Sequence, residues 1–355
     1  MSGLTSEQRE LAASVRALLV KRSDSSAVRR AIAADPGYDT ALWNTLCEQI
    51  GVAALSIPEQ YGGIGAGLLE THVVLDELGR TLTPSPLLGS AVFGAQLLLA
   101  LGDDDACQRL LPRIAAGEVA TVAWSDAGSG WSTPAVTASG DTLTGTAHYV
   151  LDGDIADVLL FVAAAEHGIA VYEVEPAAAQ RVHTPSLDLT RRLATVTLDA
   201  APGNRIGGDA ASACERALRA TVIGQTAEQS GAAARILELT VEYSKTRVQF
   251  GRPIGSFQAL KHRMADLHVL VEAARSASYA AAAGTIAASV AKAYCDDAFF
   301  TVAGECIQLH GGIAITWEHD AHLYFKRAHS AAQLFGTTDH HVRSLAPDLG
   351  LEVGS

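Results

Sequence analysis

A chain of 355 residues, 48% of them hydrophobic, is long enough for two or three subdomains with sizeable cores. Its net charge of -13 argues against a nucleic-acid or anionic-membrane surface. No apolar run approaches the length of a transmembrane helix, and the charged start MSGLTSEQRELAASVRALLVKR reads as an amphipathic helix, not a signal peptide.

In chain order, three textures follow. Residues 1–120 read as helices with short breaks, the first carrying Thr5 and Gln8 at capping-box spacing. Gly51 suits a helix C-cap after YDTALWNTLCEQI. Residues 121–207 are short apolar runs rich in Val, Thr and Tyr, split by Gly and Asp turns, which predicts a small β-domain, barrel or sandwich. Residues 208–355 return to helical period over four long stretches, several very Ala-rich, as in a four-helix bundle. The class is α+β, with helical, β and helical domains in that order. The five cysteines are scattered, without CxxC spacing, and read as free buried thiols in a reducing cytoplasm.

Some motifs carry no chemistry. YGGIGAG, Tyr61 to Gly67, lacks a preceding strand and a following GK[ST], so it reads as a turn between helices and not a phosphate loop. His319 and His322 lack the i,i+4 spacing of a helical metal pair, and with Asp339, His340 and His341 they form no recognisable ligand set, so no metal is assigned. Two others are richer. In TRVQFGRPIGSFQ, Arg247 ends a long helix and Gln258 opens the next across a Gly–Pro break, an arrangement that suits either a diphosphate or a plain turn. In IQLHGG, Gly311 and Gly312 either let backbone amides approach a ligand or simply stop a helix.

Taken together, TRVQFGRPIGSFQ and QLHGG resemble the acyl-CoA dehydrogenase family. SIPEQYGGIGAG, DELGR, LPRIAAGEVATVAWSDAGSG and LTGTAHYVLDGDIADVLLFVA extend the resemblance over nearly the whole chain, in the family's order. The resemblance implies FAD held between β and helical domains, an acyl-CoA thioester as substrate, and α,β-dehydrogenation with a carboxylate as base. It implies electron-transferring flavoprotein as acceptor and a homo- or hetero-oligomer, dimer or tetramer. It places Arg247 on the diphosphate of a neighbouring subunit's FAD, Phe250 and Gln258 flanking the same nucleotide, and Gln308, Gly311 and Gly312 at the adenosine end. Trp124, Ser125 and Tyr149 fall by the isoalloxazine ring, and Thr221 and Gln225 on the acyl cavity. One flavin-facing strand departs from the family: Tyr149, Val150 and Leu151 stand where a Trp-Ile-Thr or Trp-Ile-Ser puts a hydroxyl near flavin N5.

The base is the larger departure. QLFGTTDHHV has Phe335 or Gly336 where most of the family has Glu, and the alternative Glu position on the first long C-terminal helix holds Thr221. Glu228 lies seven residues after Thr221, two turns along the same face. It is a candidate displaced base, or else a bundle residue paired with an arginine. Asp339 reads as the N-cap of a last helix, HHVRSLA. The resemblance therefore leaves three readings: a dehydrogenase with its own non-standard base; a catalytically incomplete subunit of a heterotetramer, as in actinobacterial enzymes for sterol side chains; and a flavin oxidase or monooxygenase on the same fold.

Overall fold

The structure, a computed structural model, describes residues 4–126, 131 and 133–346; the DAGSG stretch and the C-terminal end of the third region lie partly outside them. Its α-helices are α1 (Ser6–Arg22), α2 (Ser25–Ala33), α3 (Thr40–Thr45), α4 (Leu68–Thr81), α5 (Ala95–Leu101), α6 (Asp104–Ala115), α7 (Ala210–Thr246), α8 (Gln258–Ala282), α9 (Ala288–His310), α10 (Ala321–Ala331) and α11 (Thr338–Leu345). Its strands are β1 (Ala120–Ala123), β2 (Val136–Ser139), β3 (Thr142–Leu151), β4 (Val158–Ala165), β5 (Gly168–Val174), β6 (Gln180–His183), β7 (Leu193–Pro202), β8 (Asn204–Ile206), β9 (Val248–Gln249) and β10 (Arg252–Pro253). Helical, β and helical stretches follow one another as the textures predict, and the class is α+β.

The chain forms two compact units that interleave in sequence. One comprises Met1–Val15, Arg30–Thr71 and Pro84–Thr221; the other comprises Arg16–Arg29, His72–Thr83 and Val222–Ser355.

The first unit is built on one sheet in the order β6-β7-β3-β2-β4-β5-β8, with β1 beside β4. β1 and β2 run parallel to β4, and the remaining pairs are antiparallel. The central strand β4, VLLFVAAA, is buried along most of its length, as an interior strand covered on both faces must be. Leu159, Phe161, Ala163, Tyr172, Val196 and Leu198 form the core around it. Thr5 and Gln8 cap α1 reciprocally: Gln8 N donates to Thr5 Oγ1 at 3.2 Å and Thr5 N to Gln8 Oε1 at 3.0 Å. The Gly-rich stretch is a tight turn, since a Cβ on Gly63 would stand 1.9 Å from the Ile57 carbonyl oxygen.

The second unit is the bundle. α7 is one helix of 37 residues, and no proline interrupts its run of Ala, Leu, Glu and Gln. Ile236, Leu237, Leu267, Phe299, Val302, Leu323 and Tyr324 fill the core between α7, α8, α9 and α10. Glycine lets α4 and α7 touch backbone to backbone. A Cβ on Gly79 would meet the Glu228 carbonyl oxygen at 2.2 Å, and one on Gly231 would meet that of Asp76 at 2.0 Å. One expectation needs correction. Ala288–Ile315 is long and apolar enough, by length and composition, to cross a membrane. Here it packs against α8, α10 and α11 and buries Lys292 and Asp296 within its apolar stretch.

Candidate active site

In the first unit, Trp124 and Ser125 leave β1 and are laced to a bulge in β3. Ser125 O accepts from His148 N at 2.8 Å, and Ser125 Oγ donates to His148 O at 3.0 Å. The pairing of β3 with β7 slips between Ala147 and Val150, and there Tyr149 takes a left-handed φ of 56° and stands 42% exposed. The structure thus brings Ser125 and Tyr149 to one edge. Trp124 is buried beside Phe93 and Trp131, and its Nε1 has no hydrogen-bond partner among the described residues. Leu151 brings no hydroxyl to the place where the resemblance expects one. The nearby Thr121 hydroxyl is buried and donates to the Leu151 carbonyl.

In the second unit, Arg247 leaves the end of α7, exposed and with no acidic partner among the described residues. A two-residue turn follows, with Phe250 at φ 53° and Gly251 at 77°, joining β9 to β10. Phe250 is 92% exposed at the tip, its ring edge-on to Phe257. Arg252 stacks over Phe257 at 4.0 Å, and the first turn of α8, opened by the exposed Gln258, has no side-chain cap. α9 ends at Gly311, with φ 68°, and a Cβ on Gly311 or Gly312 would meet nothing within 4 Å. Gln308 is exposed one turn earlier. An unpaired cation, uncapped helix amides and open glycines fit a diphosphate. In the first unit, taken by itself, the buried indole N–H of Trp124 and the exposed Tyr149 ring fit a flavin ring. The residues therefore fit FAD.

No free carboxylate stands at the places where a base is expected. Thr221 is buried and its hydroxyl donates to the Ala217 carbonyl at 2.8 Å. Phe335 is buried with a left-handed φ of 61°, and its carbonyl accepts from His341 Nε2 at 3.0 Å. Gly336 follows at φ 102°, where a Cβ would run into His340 and His341. Glu228 is buried, with Oε2 3.6 Å from Arg327 Nη1. That is the arginine-paired arrangement weighed from sequence. Asp339 is not the cap of α11. Thr337 is, its Oγ1 accepting from His340 N at 3.3 Å, and Asp339 sits in the first turn.

Several buried polar residues around α7 escape a reading by motif. Gln225 Nε2 donates to Ala331 O at 3.2 Å, and Gln229 Nε2 to Asp296 Oδ1 at 2.6 Å. Lys292 Nζ lies 2.6 Å from both Asp296 oxygens and 3.1 Å from Ala331 O. Burial pulls the Lys292 ammonium below its usual range and pushes Asp296 above its own, and their contact opposes both shifts. Lys292 and Gln225 together satisfy the last carbonyl of α10, ahead of the Phe335–Gly336 turn. A Lys and an Asp at i,i+4 inside an apolar helix were the available signal. Elsewhere on α7, Thr226 donates to Ile223 O, so Ser278 donates to Thr226 and accepts from His72 Nε2 at 2.7 Å. Burial lowers the His72 pKa to about 3, and the ring is neutral.

Compared with known proteins, residues 5–118 match the family described as acyl-CoA dehydrogenase, N-terminal domain, and residues 211–349 match acyl-CoA dehydrogenase, C-terminal domain. The sequence is 44% identical over 353 residues to acyl-CoA dehydrogenase IpdE2 of Mycobacterium tuberculosis, with 97% of each chain covered. The fold superposes on a chain of the ChsE4-ChsE5 complex from Mycobacterium tuberculosis with a TM-score of 0.89, 28% identity and 99% of each chain covered. It superposes on a chain of the Tcur3481-Tcur3483 steroid ACAD G363A variant with a TM-score of 0.88 and 29% identity, over 97% of this chain and 98% of that one.

Proposed function

The chain belongs to the acyl-CoA dehydrogenase family, and on that premise we propose that it is one subunit of a two-chain, FAD-dependent enzyme whose other subunit brings the carboxylate base. The reaction is α,β-dehydrogenation of an acyl-CoA thioester. The observation that carries the subunit reading is the occupancy of the base positions. Thr221 is tied to its own helix, a buried phenyl and a glycine fill the QLFGTT turn, and Glu228 lies against Arg327. A general base must reach the proton it removes. None of these groups is a carboxylate open to a substrate.

FAD, when bound, accepts the β-hydrogen as hydride. This chain's contribution is to hold and orient it. Arg247, Gln258, Gln308 and the Gly311–Gly312 amides would grip the diphosphate and adenosine, with Phe250 packed beside them. Trp124, Ser125 and Tyr149 would line the ring. Two of the structural neighbours are themselves named as two-component assemblies, one of them a steroid ACAD. They support a heterotetramer acting on a sterol-derived acyl-CoA in lipid breakdown, with electron-transferring flavoprotein as acceptor. Five free, buried cysteines suit the cytoplasm.

The test is the visible spectrum of the chain purified alone, read before and after anaerobic addition of a panel of acyl-CoA esters. The expected result is no flavin bleaching until a partner chain with an intact Glu is added. Bleaching by the chain alone, abolished in Glu228→Gln, would overturn the subunit reading and make Glu228 the base.

A further inference from the structure

We propose that Gln225 and Gln229 form a hydroxyl-binding site inside the bundle, facing α9 and α10. Both side chains are sealed from solvent, at 0% and 2% exposure. Each amide nitrogen has one fixed partner, Ala331 O for Gln225 and Asp296 Oδ1 for Gln229. Lys292 joins those two partners by donating to both, so Gln225, Ala331, Lys292, Asp296 and Gln229 form a closed circuit along α7, α10 and α9. The circuit decides the amide orientations. Exchanging nitrogen and oxygen in Gln229 would set its oxygen 2.6 Å from a carboxylate oxygen, and in Gln225 it would set an oxygen 3.2 Å from a carbonyl. Both Oε1 atoms are therefore turned away from the circuit, and both are buried without a hydrogen-bond partner among the described residues.

Two acceptors four residues apart lie on one face of a helix, with Cβ atoms roughly 5–6 Å apart. Buried polar groups are rarely left unpaired, and here both unpaired atoms are acceptors. An amide oxygen asks for a donor: a water can give one hydrogen to each of the two oxygens, and a hydroxyl group can give its one hydrogen to either. Both side chains are buried, which limits the occupant to something small. It is either an enclosed water or the hydroxyl end of a polar acyl chain, since the family resemblance places Gln225 on the acyl cavity. The proposal stands whether or not the base lies in a second subunit.

Crystals of the protein in the assembly it purifies with, grown without and with an acyl-CoA ester bearing a hydroxyl on its acyl group, provide the test. The expected result without ester is an ordered oxygen at about 2.7–3.2 Å from Oε1 of Gln225, Gln229 or both. If that peak persists unchanged with the ester bound, the occupant is water. If it is replaced by density continuous with the acyl chain, the site reads the substrate hydroxyl. Gln229→Met should remove the contact at position 229 and leave the Lys292–Asp296 pair in place. Two results overturn the proposal: wild-type crystals with no oxygen within hydrogen-bond distance of either atom, or glutamine amides flipped with Lys292 moved off Ala331.

Discussion

Six non-glycine residues hold a left-handed φ among the described residues, and the aromatic ones are Tyr149, Phe250 and Phe335. The family resemblance expects a site position at each of these three. A side chain with a Cβ is strained there by about 1–2 kcal/mol, and such strain persists where surroundings or function hold it. Phe335 is buried and its carbonyl is held by His341, so packing accounts for it. Phe250 is 92% exposed, and its own packing does not account for it. A type I′ turn prefers Asn or Gly at that place. Phe250→Gly should therefore raise the stability of the free chain by about 1 kcal/mol, read from denaturant midpoints, while lowering the flavin content of the assembled protein. A loss of both stability and flavin would mean that the phenyl ring stabilises the hairpin, and that its exposure has no bearing on the cofactor.

At the scale of elements, the contact between α4 and α7 sets where the buried polar residues lie. Gly79 faces Glu228, and Gly231 faces Asp76, so the two backbones meet at the level of Thr226, Gln229 and Ser230. Gly231→Ala would push a methyl into the Asp76 carbonyl and part the helices. It should cost at least about 1–3 kcal/mol by thermal or urea denaturation, despite alanine's better helix propensity, and a neutral or stabilising result would put the crossing elsewhere. The crossing also shows what sequence could convey. The α1 capping box, the unbroken α7 and the change to period-two runs near residue 120 are local patterns, and local patterns survive in one chain read alone. The ion pair between Glu228 and Arg327 spans almost a hundred positions, and no spacing rule names which arginine meets which acid. The Thr337 cap was missed because Thr, Thr and Asp stand in a row and each can cap a helix. The apolar run of α9 is interrupted in the sequence by Lys292 and Asp296, which in the fold neutralise each other within it.

For the whole molecule, these buried polar groups tie stability to pH. His72 is buried and neutral, with its pKa lowered from 6.5 to about 3 by burial. Unfolding returns it to its usual value, so between pH 6.5 and about 3 the unfolded chain binds one proton more than the folded one. The stability this residue contributes is complete above pH 6.5 and falls as the pH drops. His322 and His341, lowered to about 4 by burial, act in the same sense; Asp76 and Asp296, raised by burial, act in the opposite one. A difference measurement separates His72 from the rest. The urea midpoint of wild type and of His72→Gln should be followed from pH 7.5 to 5. The wild type should lose stability relative to the variant by up to about 1.4 kcal/mol per pH unit below pH 6. Glutamine keeps a donor for Ser278 and does not titrate, so the two curves share every other group. Parallel curves would mean that the imidazole is hydrated in the folded protein, and that the bundle is open to solvent at the level where α7 crosses α4.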